Sequence, residues 1–128
     1  MRLTLITTHA IESANSLGMN GTPEDMLISL IEDQVRNNFN MAIKVKQGGK
    51  DRWIIPAVMP RSIWCESMCC WIVLSVPTDE KTIAKFKYVA RTLLHENSPV
   101  VRKLWRHEGV ENPVRGYMKY LKEMKELK

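Results

Sequence analysis

Cysteine is scarce in this chain, with only Cys65, Cys69 and Cys70 among 128 residues. An odd number, two of them adjacent, makes a poor disulfide framework and points to a reducing compartment. The paired short spacings of structural zinc are missing as well. A fourth ligand would have to be His9, His95 or His107, none of them near in sequence, so no metal is expected. Buried thiols in a core strand are the simpler reading. Long apolar runs are also lacking. The longest, Met68 to Val76, is interrupted by Ser75 and closed by Pro77, far short of the ~20 residues of a membrane span. Met1 to His9 has too short an apolar core for a secretory signal. Asn20-Gly21-Thr22 fits a glycosylation acceptor, which means little without such a signal. These features place the chain inside the cell, in cytoplasm or nucleus.

Sequence signatures of catalysis are sparse. Gly48-Gly49 lacks the following Lys-Ser/Thr and helix of a phosphate loop, so it reads as a hairpin turn. There is no Gly-x-Ser-x-Gly elbow and no His-Glu-x-x-His. His9 with Glu12 three residues on is the one pairing suited to proton transfer, and it would serve a small hydrolase or nuclease. No nucleophile or oxyanion-hole motif accompanies it, so no residue is assigned as catalytic and no cofactor is expected.

What is present is an ordinary globular composition, 45% hydrophobic and 26% charged, of a size that buries roughly two thirds of its unfolded surface. One domain over 1–128 is expected, with a sheet-forming part over 1–77 and a basic helical part over 78–128. Residues 2–8 alternate as a strand. His9 to Leu17 suits a short helix. Thr22-Pro23 opens a second helix over about 23–37, with Leu27, Ile31 and Val35 inward. Phe39, Met41, Ile43 and Val45 alternate as the clearest strand, Gly48-Gly49 turns it, and Arg52 to Ile55 returns. Pro56 and Pro60 bracket an irregular stretch before a doubly buried strand over Cys69 to Val76.

After Pro77 the period changes. Asp79 can cap a helix with Ile83, Phe86, Ala90, Leu93 and Leu94 on one stripe. Ser98-Pro99 opens a second, ended by Gly109, and Asn112-Pro113 a third, lined by Val114, Tyr117, Met118, Leu121 and Met124. The expected fold class is therefore α+β. A small, mainly antiparallel sheet (strand, hairpin, strand) packs against helices, and three consecutive helices close the chain. The βαββ opening is similar to that of a ferredoxin-like fold, although 56–68 is short and proline-broken for that fold's second helix.

Charge carries the functional reading. Of 19 Lys and Arg and 14 Asp and Glu (net +5), residues 1–80 hold seven basic and nine acidic, a net of −2, and residues 81–128 hold twelve and five, a net of +7. Such asymmetry favours a polyanionic partner. Arg102, Lys103 and Arg106 gather on one expected helix, with His107 beside them and Trp105 on the apolar stripe. Arg115, Lys119 and Lys122 form a basic stripe on the next, and Lys81, Lys85, Lys87 and Arg91 extend the field. Lys44 and Lys46 share one face of the hairpin, beside Lys50 and Arg52. Such side chains meet phosphates. They equally suit solvated helix faces and a guarded edge strand.

The helices flanking Gly109-Val110-Glu111-Asn112 resemble a helix-turn-helix over about twenty residues, with Trp105 standing where that motif has a small residue. The resemblance implies Val114, Arg115, Met118 and Lys119 as groove-facing residues. The leading expectation is thus a small non-enzymatic nucleic-acid-binding accessory or regulatory protein, of a size and plainness that suit a virus or mobile element. The rival is an inhibitor or adaptor module. Its surface would be Met- and Trp-rich, with Ile54, Ile55, Val58, Met59, Ile63 and Trp64 crowded around two prolines, and it would serve a protein partner or a homodimer.

Overall fold

The computed structural model describes residues 2–60, 67–95 and 98–99. In chain order its elements are β1 (Thr4–Ile6), α1 (Thr8–Ala14) running into a π-helical turn at Asn15–Met19, and α2 (Glu24–Asn38) with a 3-10 turn at Phe39–Met41. There follow β2 (Ile43–Gln47), β3 (Lys50–Pro60), β4 (Ser67–Ser75), α3 (Glu80–Lys85) and β5 (Tyr88–His95).

The five strands form one sheet in the order β1-β5-β4-β3-β2. β2, β3, β4 and β5 follow one another as antiparallel neighbours, and β1 lies parallel to β5, Leu5 opposite Val89. The chain therefore leaves β1 at one edge, passes through α1 and α2, and re-enters at β2 on the opposite edge. A parallel neighbour cannot be reached by a tight turn and needs such a long connection.

This corrects the expected fold class. The sheet is mixed and five-stranded rather than strand, hairpin, strand, and a strand occupies much of what reads as the first of three C-terminal helices. Asp79 caps α3 as its position suggests, its side chain accepting the Thr82 N–H. The helix nevertheless stops at Lys85. Tyr88–His95 is β5, with register shifting between Val73 and Leu74 of β4, which leaves Arg91 unpaired in a bulge. The bulge breaks the period-two alternation, so that Val89, Ala90 and Leu93 are buried at a spacing that imitates a helix. Beyond Pro99, the other two expected helices lie outside the described residues.

A second correction concerns β3, which runs eleven residues through Pro56 to Pro60. Backbone groups of Ile54, Pro56 and Val58 face the β2 side, and β2 ends at Ile43 opposite Ile54. The N–H that Pro56 lacks would thus point off the sheet's free edge, where no ladder bond is lost. α2 covers that edge with side chains. Asn38 Nδ2 donates to the Pro56 carbonyl at 2.9 Å, and the Val58 N–H donates to Gln34 Oε1 at 3.0 Å. The β2–β3 hairpin turns at Gly48 (φ 59) and Gly49 (φ 79), both in the left-handed region that matches the strand twist.

α1 and α2 cover one side of the sheet. Ala10, Ile11, Ala14, Leu27, Ile31 and Val35 from the helices meet Ile55, Ala57, Met59, Ile72, Leu74, Ala90 and Leu93 from the strands in a single core. Past the end of α2, Phe39 stacks on Tyr88 with ring centroids 4.5 Å apart. Burying such side chains is worth about 1.5–3 kcal/mol each before the entropy of ordering them.

Candidate nucleic-acid interface

Lys44 and Lys46 lie two apart on the edge strand β2, both exposed and on one face as their spacing requires. The register of the hairpin sets Asp51 opposite Lys46. Its carboxylate is 3.6 Å from Lys44 Nζ and 4.0 Å from Lys46 Nζ. Lys44 Nζ also stands 5.8 Å from the centre of the Trp53 ring. One acid thus shares two cations, and with Lys50 and Arg52 the hairpin carries four basic residues and one acidic, a net of +3. Only part of that charge is open to a phosphate, because Asp51 is already engaged.

A second basic place lies where β1 begins and α3 ends. Leu3 O accepts the Lys87 N–H at 2.8 Å, which brings Arg2 alongside residues more than eighty positions later. Arg2, Ala84, Lys85 and Phe86 line a shallow cavity of about 340 Å³. The Arg2 guanidinium is 5.8 Å from the centre of the Phe86 ring. Lys81 stands one turn before Lys85 on α3 and Lys87 follows Phe86, all three lysines exposed. Arg91, at the β5 bulge, is exposed and donates from Nε to Ser75 Oγ at 2.7 Å.

Lys81, Lys85 and Lys87 are recognisable in the sequence as part of the basic field. Arg2 and Phe86 are not, since only the parallel β1–β5 pairing brings them together and no local pattern announces such a pair. Arg102, Lys103, Arg106, Arg115, Lys119 and Lys122 lie outside the described residues, as do the helix-turn-helix positions Val114 and Met118.

The remaining candidates are placed as follows. His9 sits in the first turn of α1, exposed, with Glu12 also exposed one turn on. Thr7 caps that helix by accepting the Ala10 N–H. Among the described residues, no three of His, Cys, Asp and Glu gather as a metal site. Cys70 is buried in β4. Ile54, Ile55, Val58 and Met59 are buried within β3, not crowded on an irregular loop, whereas Ile63 and Trp64 lie outside the described residues. Among the described residues no helix is long and apolar enough to cross a membrane.

The fold thus defines an α+β protein whose mixed sheet carries helices on one side and basic residues at a hairpin and at one corner. Comparison of the chain with protein-family models, with curated proteins and with solved structures finds no match.

Proposed function

We propose that this chain is a non-enzymatic nucleic-acid-binding accessory protein that contacts phosphates through the basic residues of 81–128, with the hairpin lysines in a lesser part. The observation that carries the reading is the charge division, net +7 over 81–128 against −2 over 1–80. The corner supports it, since the exposed Arg2 and Lys85 line one cavity with Phe86, and the exposed Lys81 and Lys87 are close by in the chain. Cations of this kind neutralise phosphates, and a partly exposed aromatic ring beside them suits stacking with an unpaired base.

The test is fluorescence anisotropy with labelled single- and double-stranded DNA and RNA over a salt series. Binding through several phosphates makes the logarithm of affinity fall linearly with the logarithm of salt, each contact adding about 0.9 to the slope on duplex DNA. A measurable slope supports the reading and counts the contacts. No binding to any of the four polymers at low salt rejects it.

A further inference from the structure

The sheet has a second side that α1 and α2 do not touch. Strand alternation and register place Val45, Ile54, Val58, Trp71, Val73 and Val89 there, and none of the six belongs to the core beneath those helices. All of them are buried, Ile54 and Trp71 at 0% exposure and Val58 the most open at 7%. Yet no described helix lies over them. α1, α2 and the turns that follow them pack on the other side, and α3 buries no residue at all. A mainly antiparallel sheet can leave one face to water where that face is polar, but a face of six apolar side chains must be buried against another layer.

We infer that residues 99–128 of this same chain form that cover, docking across the second side through the apolar stripe of Val101, Leu104 and Trp105 and that of Val114, Tyr117, Met118, Leu121 and Met124. Three observations carry this. The segment follows β5, which sits inside the sheet with Leu94 opposite Trp71, so the chain departs beside the surface to be covered. Its size fits. Two helices over 99–108 and 113–128 would be about 15 and 24 Å long and together about 20 Å wide. Five strands spaced about 4.8 Å apart make a sheet of like width. Its chemistry fits too, since apolar side chains recur at helical spacing while Arg115 and Lys119 stand on the opposite side. Residues 61–66 leave and return between the paired ends Pro60 and Ser67, so they reach only about 10 Å and cannot cover the five strands.

Docked in this way, the segment turns the protein into three layers and holds Arg102, Arg106, Arg115 and Lys119 on the outermost one. The inference does not depend on nucleic-acid binding.

The test is methyl NOE spectroscopy on the full, unaltered chain labelled at Ile, Leu, Val and Met. Contacts from the methyls of Leu104, Met118, Leu121 or Met124 to those of Val45, Ile54, Val73 or Val89 are expected. A soluble paramagnetic probe should relax Ile54 several-fold less than the exposed Ile83. Three results overturn the inference: Ile54 and Val73 relaxed as strongly as Ile83, contacts from this side only to residues 61–66, or contacts seen only between differently labelled copies. The double variant Leu104→Lys/Leu121→Lys should raise probe relaxation at Ile54 and Val73 several-fold and leave Ile31 and Ile55 unchanged. If that variant does not fold, the contacts in the unaltered chain decide alone.

Discussion

Glu32 Oε1 accepts the backbone N–H of Thr4 at 2.8 Å, joining the middle of α2 to an edge strand 28 residues earlier. Its other oxygen accepts the Leu3 N–H at 3.3 Å and Arg36 Nε at 3.1 Å. With its side chain 7% exposed, this carboxylate stands in for the strand that β1 lacks on its outer edge. Glu32→Ala should therefore destabilise the protein by about 3 kcal/mol, since the Thr4 and Leu3 backbone N–H groups and an arginine lose a charged partner. Urea unfolding checks the figure. Thr4→Val should be neutral or stabilising by up to about 1 kcal/mol, because the buried Thr4 hydroxyl has no hydrogen-bond partner.

The opposite end of the sheet is guarded in the same manner. Gln34→Leu removes the acceptor of the Val58 N–H, and Asn38→Leu removes the donor to Pro56 O. Each should cost about 1–2 kcal/mol. Amide exchange at Val58 should quicken in Gln34→Leu more than at residues paired to β4. Equal acceleration throughout β3 would mean that the side-chain bond does not hold this edge.

How much of this was legible in the sequence depended on the kind of contact involved. The α2 stripe of Leu27, Ile31 and Val35 and the Gly48-Gly49 hairpin rest on neighbours along the chain, so their periodicity and turn chemistry announce them. Thr22-Pro23 marks the start of α2 to within one residue, although Pro23 itself takes the cap position. β5 was hidden because a bulge at Arg91 and burial on two sides erase its alternation. β3 beyond Ile55 was hidden because proline argues against a strand unless one knows which way its missing N–H would point. The corner of Arg2 and Phe86 depends on a parallel pair spanning more than eighty residues, and no local spacing encodes it. The charge division was fully legible, since it needs only counting.

Asp79 should show a pH effect confined to α3. Its carboxyl is held below the ordinary aspartate value, first by the Thr82 hydroxyl and then by the Thr82 backbone N–H. A depressed folded value means that the capping stabilisation is fully present above the ordinary aspartate pKa and is lost as pH falls through the folded one. Carbon-detected titration of Asp79 should find it below the ordinary aspartate value. Thr82→Val should move it back upward while α3 stays formed at neutral pH. An unchanged value in that variant would contradict the assigned cause.

Asp51 offers a probe of the hairpin. The pairs it makes with Lys44 and Lys46 are surface contacts, so Asp51→Asn should change stability by less than about 1 kcal/mol. If the two lysines meet phosphate, releasing them should tighten binding to nucleic acid at low salt. Unchanged binding would take the hairpin lysines out of the interface.

The central claim is that the positive charge of the second part of the chain serves a polyanion. The most direct measurement compares the unaltered protein with Arg102→Glu/Arg106→Glu, both shown to be folded by circular dichroism, in binding to labelled DNA and RNA at low salt and across a salt series. The account predicts a loss of affinity on the order of tenfold or more and a shallower salt slope in the variant. Equal affinity and equal slope for the two proteins would contradict it.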